Sequence, residues 1–397
     1  MNDLRNLELH DVLDAAAEAL SRATGATCRL ADAELLSNEQ RRNVIVRARA
    51  ASDGGASQSI IVKATRSYDY DPRSPSAFER SGLIREWVAT AHLATRVPVR
   101  GHGAQLLAGH VERGILVFED LGSNLGSLVE PLLEGSAEEA ERTLMSYAVA
   151  LGRLHADTVG CAKAHAEALR SIFGAEAESP VPSPRGELET FAAGIQAKIG
   201  GALPPDELSQ VSQRVENPGA WLALVHGDPC PDNALVIAGR GADHVRLIDF
   251  EFTQPAHALL DAIYWQFGFP TCWCAGRTAS DVAARLDAAY RAEIAHAIAP
   301  ARDDDAYRRE RAHIAVAWLL RCLDWRLDDA LNDDTTWGEA SIRSRVLWYL
   351  QAVIDMTGRA DVLPGTRSTA AMWLHELQQR WPATAPLGLY PAFAARS

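Results

Sequence analysis

The chain lacks any uninterrupted apolar run long enough to cross a bilayer. Its opening stretch, MNDLRNLELHDVLDAAAEAL, carries acids where a secretory signal needs an apolar h-region. These absences predict a cytoplasmic protein with no membrane partner. Cysteine is sparse: six in 397 residues, scattered, make no disulfide framework, so reduced thiols are expected. Positive charge is short as well. With 39 Lys and Arg against 52 Asp and Glu, the net charge is −13, which removes the electrostatic footprint that nucleic-acid binding needs. No internal repeat or low-complexity tract appears. What remains, 47% hydrophobic and 23% charged residues, suits an ordinary globular protein of about two to three domains.

The stretch with the most pattern is LALVHGDPCPDNALVIAGRGADHVRLIDFEFTQPAHALLDAIYW, residues 222–265. Two strand-like runs, Ala234–Ile237 and His244–Ile248, flank Ala238-Gly239-Arg240-Gly241 and predict a hairpin. A hairpin returns its far end to its near end, so Asn233 and Asp249 are expected close together, with Asp228 just upstream. A carboxylate and a carboxamide oxygen are hard ligands of the kind Mg²⁺ prefers, and Asp228 is a carboxylate suited to a reacting hydroxyl. Taken singly, each residue has an ordinary reading: Asn at a turn, Asp at a strand end, His226 as partner to a loop carbonyl. In this order around one hairpin, their roles interlock.

His226-x-Asp228-x4-Asn233 followed by Asp249-Phe250-Glu251 resembles the aminoglycoside phosphotransferase and choline kinase superfamily. Glu251 stands where protein kinases carry glycine, which favours the small-molecule branch. The resemblance runs from about Thr27 to Trp265 and implies an α+β, two-lobed, protein-kinase-like fold. A small antiparallel-sheet N-lobe would span 1–118, a hinge 119–125 and a larger, mostly helical C-lobe 126–397. It also implies ATP or GTP as co-substrate, Mg²⁺ held by Asn233 and Asp249, Asp228 as the catalytic carboxylate, and His226 bracing its loop.

Upstream, Leu7–Ala23 has apolar residues at helical spacing, and Thr27–Leu36, Asn43–Ala50 and Gln58–Thr65 read as strands, with a turn at Asp53-Gly54-Gly55. Lys63, on the third strand, matches the family's phosphate-binding lysine; a solvent-facing strand lysine is the plain alternative. Its expected partner is Glu86, on the helical stretch FERSGLIREWVATAHLATRV, with Glu79 as competitor on the same face. Between strand and helix, TRSYDYDPRSPSA looks like an inserted loop. The loop after the first strand, Ser-Asn-Glu-Gln-Arg-Arg, lacks GxGxxG; Ser37, Arg41 and Arg42 are the candidate phosphate donors there, against a solvated hairpin tip. GILVFEDLG resembles the family hinge, which puts Phe118 behind the nucleotide and turns the Glu119 carbonyl and Leu121 amide to the adenine edge.

Downstream, Ala137–Thr158 is amphipathic, and His155 in its last turn is assigned to the helix C-terminus. Ser179–Pro184 and Pro204-Pro205 break the pattern. Leu260-Asp261-Ala262 resembles the element whose aspartate ties its helix to the catalytic loop. Cys272 and Cys274 form a C-x-C that needs further ligands nearby to signal metal, so buried thiols are expected. From Ser280 to about Gln379 the chain reads as helical and rich in tryptophan. Asp324 and Asp328 there, with Glu251, are the candidates for binding a cationic acceptor; a solvated acidic face is the alternative. The resemblance thus implies a small-molecule kinase acting on a hydroxyl of an aminoglycoside, amino sugar or amino alcohol. A nucleotide-binding pseudokinase is the competing reading. A protein-serine/threonine kinase is disfavoured by Glu251 and by the lack of an Ala-Pro-Glu segment.

Overall fold

In the N-terminal sheet, side chains alternate between two helix-covered faces. The computed structural model describes residues 7–38, 41–52, 57–66, 70–72, 82–96, 101–123, 125–175, 177, 186–237 and 244–394. The turns at Asp53-Gly54-Gly55 and Ala238–Gly241, the loop Ser179–Pro184, the competitor Glu79 and most of the inserted loop lie outside them.

Helix α1 (Leu9–Thr24) ends at Gly25, whose φ of +71° closes the helix with its N–H on the Ser21 carbonyl. Strands β1 (Cys28–Leu35), β2 (Asn43–Ser52) and β3 (Gln58–Thr65) follow, then helix α2 (Gly82–Arg96) and strands β4 (Leu106–His110) and β5 (Ile115–Glu119). The strands form one antiparallel sheet in the order β1-β2-β3-β5-β4. Because successive strand residues point to opposite faces, Val44, Val46 and Ala48 of β2 and Ile60, Val62 and Ala64 of β3 share one face. They pack against Val12, Ala15, Ala16 and Ala19 of α1. Full burial of each larger side chain contributes at most ~1.5–3 kcal/mol. Leu116 and Phe118 of β5 belong to the cluster that holds Leu83, Ile84, Trp87 and Val88 of α2. Lys63 lies opposite Leu116 in register, out of phase with the α1-facing set.

The chain divides into two compact units. The first comprises Met1–Leu125, Ala162–Pro180 and Arg246–Gln254; the second comprises Gly126–Cys161, Val181–Val245 and Pro255–Ser397. The late segment joins the first unit through Leu247, whose N–H donates to the His102 carbonyl at 3.0 Å and which bridges Gly103 in parallel. A side chain at Gly103 would fall 2.5 Å from the Leu247 carbonyl oxygen, so only glycine allows that approach.

The second unit is mostly helical, and the α+β class with a small antiparallel N-terminal sheet is as expected. Helix Ala137–Asp157 starts at Ser136, whose side chain accepts from the Glu139 N–H. It buries Ala140, Leu144, Tyr147, Leu151 and Leu154, a stripe of alternating fours and threes. The longest helix, Asp304–Asn332, is capped by Asp303 in the same way. Among the described residues no helix is long and apolar enough to cross a membrane.

Candidate active site

One cluster lies wholly in the first unit. On β3 the strand period turns Lys63 toward α2, where Glu86 is buried on the same face as Leu83. The Lys63 ammonium sits 2.5 Å from Glu86, bonds Asp249 and lies 4.0 Å from Glu251. Asp249 has φ +64°, a left-handed conformation that few residues other than Gly, Asn and Asp tolerate. Just beyond it, the 3₁₀ turn Phe250–Phe252 presents Glu251 to Arg42 and, at 3.3 Å, to the Asn43 carboxamide. Three carboxylates therefore gather around one buried ammonium and one half-exposed guanidinium.

The electrostatics follow from that excess. Burial alone would lower the Lys63 pKa, but Glu86, Asp249 and Glu251 together outweigh it and raise it. Burial pushes the Glu86 carboxyl up to about 7, because an ammonium shared among three acids does not offset the lost hydration. Burial and then Asp249 raise Glu251 as well. Such a surplus of hard oxygen donors fits a divalent cation, and Asp249 is the least buried of the three acids.

The remaining first-unit candidates sit on the sheet. Phe118 is buried against α2. Glu119 accepts from the Gln105 N–H at 2.9 Å, while its own N–H donates to the Gln105 carbonyl. Asp120, which sequence reasoning missed, anchors the strip leading to Leu121. It accepts from Arg47 (2.9 Å), Ser59 (2.6 Å) and the Gly122 N–H (3.0 Å). Burial works against its ionisation, but these donors prevail and lower its pKa. Ser37 accepts from the Ile45 N–H at 3.0 Å, closing the turn after β1. In that same turn the Arg41 N–H donates to the Asn38 carbonyl, and the Arg41 side chain is exposed.

A second cluster lies wholly in the second unit. Asp228 follows strand Leu222–Val225 and receives three donors on Oδ1: Thr271 at 2.5 Å and Tyr264 at 3.4 Å from later in the chain, and its near neighbour Cys230 at 3.0 Å. Burial and the nearby Asp228 raise the Tyr264 pKa well above its usual value, so its hydroxyl stays a donor. The Asn233 carboxamide nitrogen donates to the Asp228 carbonyl at 3.0 Å. The Ile237 N–H donates to the His244 carbonyl at 2.6 Å, as the hairpin requires. Asp261, 1% exposed, accepts from the backbone N–H groups of His226 (2.6 Å) and Gly227 (3.1 Å) and faces His155 at 3.1 Å. His226 itself is buried. Tyr147 holds the Pro229 carbonyl at 2.6 Å.

Lys63, Glu86, Asp249 and Glu251 thus come together in one unit, and Asp228 and Asn233 in the other. Asp324 and Asp328 lie on the exposed face of Asp304–Asn332, where Asp328 pairs with Lys198 at 2.9 Å. Thr271 and Tyr264 were missed because nothing in their local sequence marks them. They lie 43 and 36 residues from Asp228.

No family model matches the chain, and no curated protein matches it in sequence. Among solved structures it is similar to an ethanolamine kinase from Plasmodium vivax, at 11% identity and a TM-score of 0.44, covering 81% of this chain and 82% of that one. It is also similar to the GDP complex of an aminoglycoside 2′-phosphotransferase-IIIa, at 12% identity and a TM-score of 0.44, covering 87% and 99%. A third is an amicoumacin kinase in complex with AMP-PNP and Ca²⁺, at 12% identity and a TM-score of 0.44, covering 96% of each chain.

Proposed function

We propose that the chain is a small-molecule kinase, transferring the γ-phosphate of ATP or GTP to a hydroxyl of a small, amine-bearing acceptor such as an aminoglycoside, amino sugar or amino alcohol. The observation that carries the reading is the Lys63–Glu86–Asp249 assembly, a buried ammonium fixed by a helix carboxylate beside an acid in strained backbone. Lys63, held by Glu86, positions the nucleotide phosphates. Asp249 and Asn233 are the residues that would hold Mg²⁺, which when bound supplies charge neutralisation on the phosphates. Asp228 orients the acceptor hydroxyl and takes its proton; Thr271 and Tyr264 fix the carboxylate, and the Asp261 bonds to His226 and Gly227 fix its loop. Catalysis in this reading is positioning and charge stabilisation.

Two variants test it. Asp228→Ala is expected to keep nucleotide binding by calorimetry and lose turnover in a coupled ADP assay, whereas Asp249→Ala weakens binding of the Mg²⁺–nucleotide itself. Full activity in Asp228→Ala refutes the assignment. A nucleotide-consumption screen against amines, amino sugars, antibiotics and nucleosides, with ATP and GTP, identifies the acceptor.

A further inference from the structure

The six cysteines of this chain are all buried, and three of them converge beside the catalytic-loop candidate Asp228. The Cys230 and Cys272 sulfurs and an Asp232 carboxylate oxygen all lie within 4.8 Å of one another. Cys272 Sγ stands 3.8 Å from Asp232 Oδ1, and Cys274 Sγ stands 2.9 Å from Cys272 Sγ. All four residues belong to the second unit. A C-x-C carries little by itself, and these additional ligands from another segment are what it would need.

Two segments of chain supply the donors, and each is held in place by bonds that do not involve the thiols. Cys230 and Asp232 lie at the 3₁₀ turn Pro231–Asn233, where the Cys230 N–H donates to the Asp228 carbonyl at 2.8 Å. Cys272 is fixed by its N–H on the Phe269 carbonyl at 3.1 Å, and by the buried Arg345, which donates to the Cys272 carbonyl at 2.8 Å and to that of Trp273 at 3.2 Å. The ordering cost of the site is therefore already met by the fold. The thiols are buried while Asp232 is exposed, so one side admits an ion from solvent.

The donor set selects the ion. Thiolates are soft ligands that Mg²⁺ and Ca²⁺ leave to Zn²⁺. In a tetrahedral zinc site with Zn–S of ~2.3 Å and Zn–O of ~2.1 Å, the sulfur and oxygen stand roughly 3.6 Å apart, close to the observed Cys272–Asp232 separation. We propose that Cys230, Asp232 and Cys272 form a zinc-binding site with an open fourth position, which Cys274 or a water fills. On binding, the Cys230 and Cys272 thiols release their protons to solvent and their sulfurs coordinate the ion. Cys230 then has no proton to donate to Asp228 Oδ1, so zinc occupancy removes one of the donors that hold this carboxylate. The site stands whether or not Asp228 serves a kinase.

The test is a titration of the full, reduced chain with Co²⁺ alone, followed by Zn²⁺. One Co²⁺ per chain should bind with a thiolate-to-cobalt charge-transfer absorption that stoichiometric Zn²⁺ abolishes. The absorption should vanish in C230S and C272S and persist in C28S, which alters a buried thiol at the start of β1. Circular dichroism reports whether the variants fold. If either serine variant unfolds, D232N, altered at the exposed ligand, carries the test: its Co²⁺ affinity should fall at least about tenfold. Absence of the absorption in the wild-type chain, its survival in a folded C272S, or unchanged affinity in D232N overturns the proposal.

Discussion

A Cβ placed on Gly82 would stand 2.8 Å from the Cβ of Glu251. The clash is with the root of the glutamate, which cannot swing aside without moving the Phe250–Phe252 turn. Gly82→Ala is therefore expected to destabilise the chain by ~1–3 kcal/mol, as overpacking does. Gly194→Ala, in helix Glu187–Ile199 with nothing within 4 Å of the added atom, should instead stabilise by ~0.5–1 kcal/mol. Denaturant unfolding of the two variants gives opposite signs if the packing is as described.

Glu86 makes stability depend on pH. Its folded pKa of about 7 lies above the ordinary value of 4.5, so the folded state holds this proton more tightly than the unfolded state. The stability it contributes is complete below pH 4.5 and is lost as pH rises through 7. Glu86→Gln cannot ionise and removes this component. Wild-type stability should therefore fall relative to Glu86→Gln between about pH 5 and pH 8, measured by denaturant unfolding at each pH. A constant difference across that range contradicts the assignment.

Asp261 satisfies one buried and one half-buried backbone amide and faces a buried histidine. Asp261→Ala leaves the His226 and Gly227 N–H groups without their acceptor, an expected loss of ~3–5 kcal/mol. Thermal unfolding measures it. In folded protein at low temperature, the same variant should lose most turnover while binding nucleotide, since the loop carrying Asp228 is no longer tied.

Arg345 is wholly buried and has carbonyl partners: Cys272 (2.8 Å), Trp273 (3.2 Å) and Trp337 (2.6 Å), with its guanidinium 4.7 Å from the Trp337 ring centre. Arg345→Met strands those carbonyls and should cost about 3 kcal/mol or more. Arg345→Lys should fail to rescue, because a single ammonium does not span the fork. Melting of both variants checks the pair.

How much of this was legible in the sequence depended on how local the signal was. Strands Thr27–Leu36, Asn43–Ala50 and Gln58–Thr65 were legible between their turns and Gly114–Gly122 as an apolar run, whereas Leu106–His110 was not read; Asp228, Asn233 and Asp249 stood out by their order around a hairpin. Lys63 had a further cue, since the chain's only other lysines are Lys163 and Lys198. Glu251 was legible as a departure from glycine, but its company with Lys63 and Gly82 was not. Thr271, Tyr264 and Arg345 carry no periodic or motif signature. Their importance lies in reach: Arg345 meets a carbonyl 73 positions upstream, and only tertiary packing decides such a pairing. Asp120 sat in a recognised segment, yet nothing nearby revealed Arg47, 73 residues away, as its partner.

The interleaving of the two units sets an order of events at the ribosome. Strand β3 emerges with Lys63 early, but Asp249 is made 186 residues later, which at about 5–20 residues per second is roughly 10–40 s. For most of that interval the nascent sheet carries Lys63 with Glu86 alone among its counter-charges, while Asp249 and Glu251 are still being translated. A chain stopped at Leu125 would have Glu86 but never Asp249 or Glu251, so the first unit should mature only once synthesis has passed Gln254.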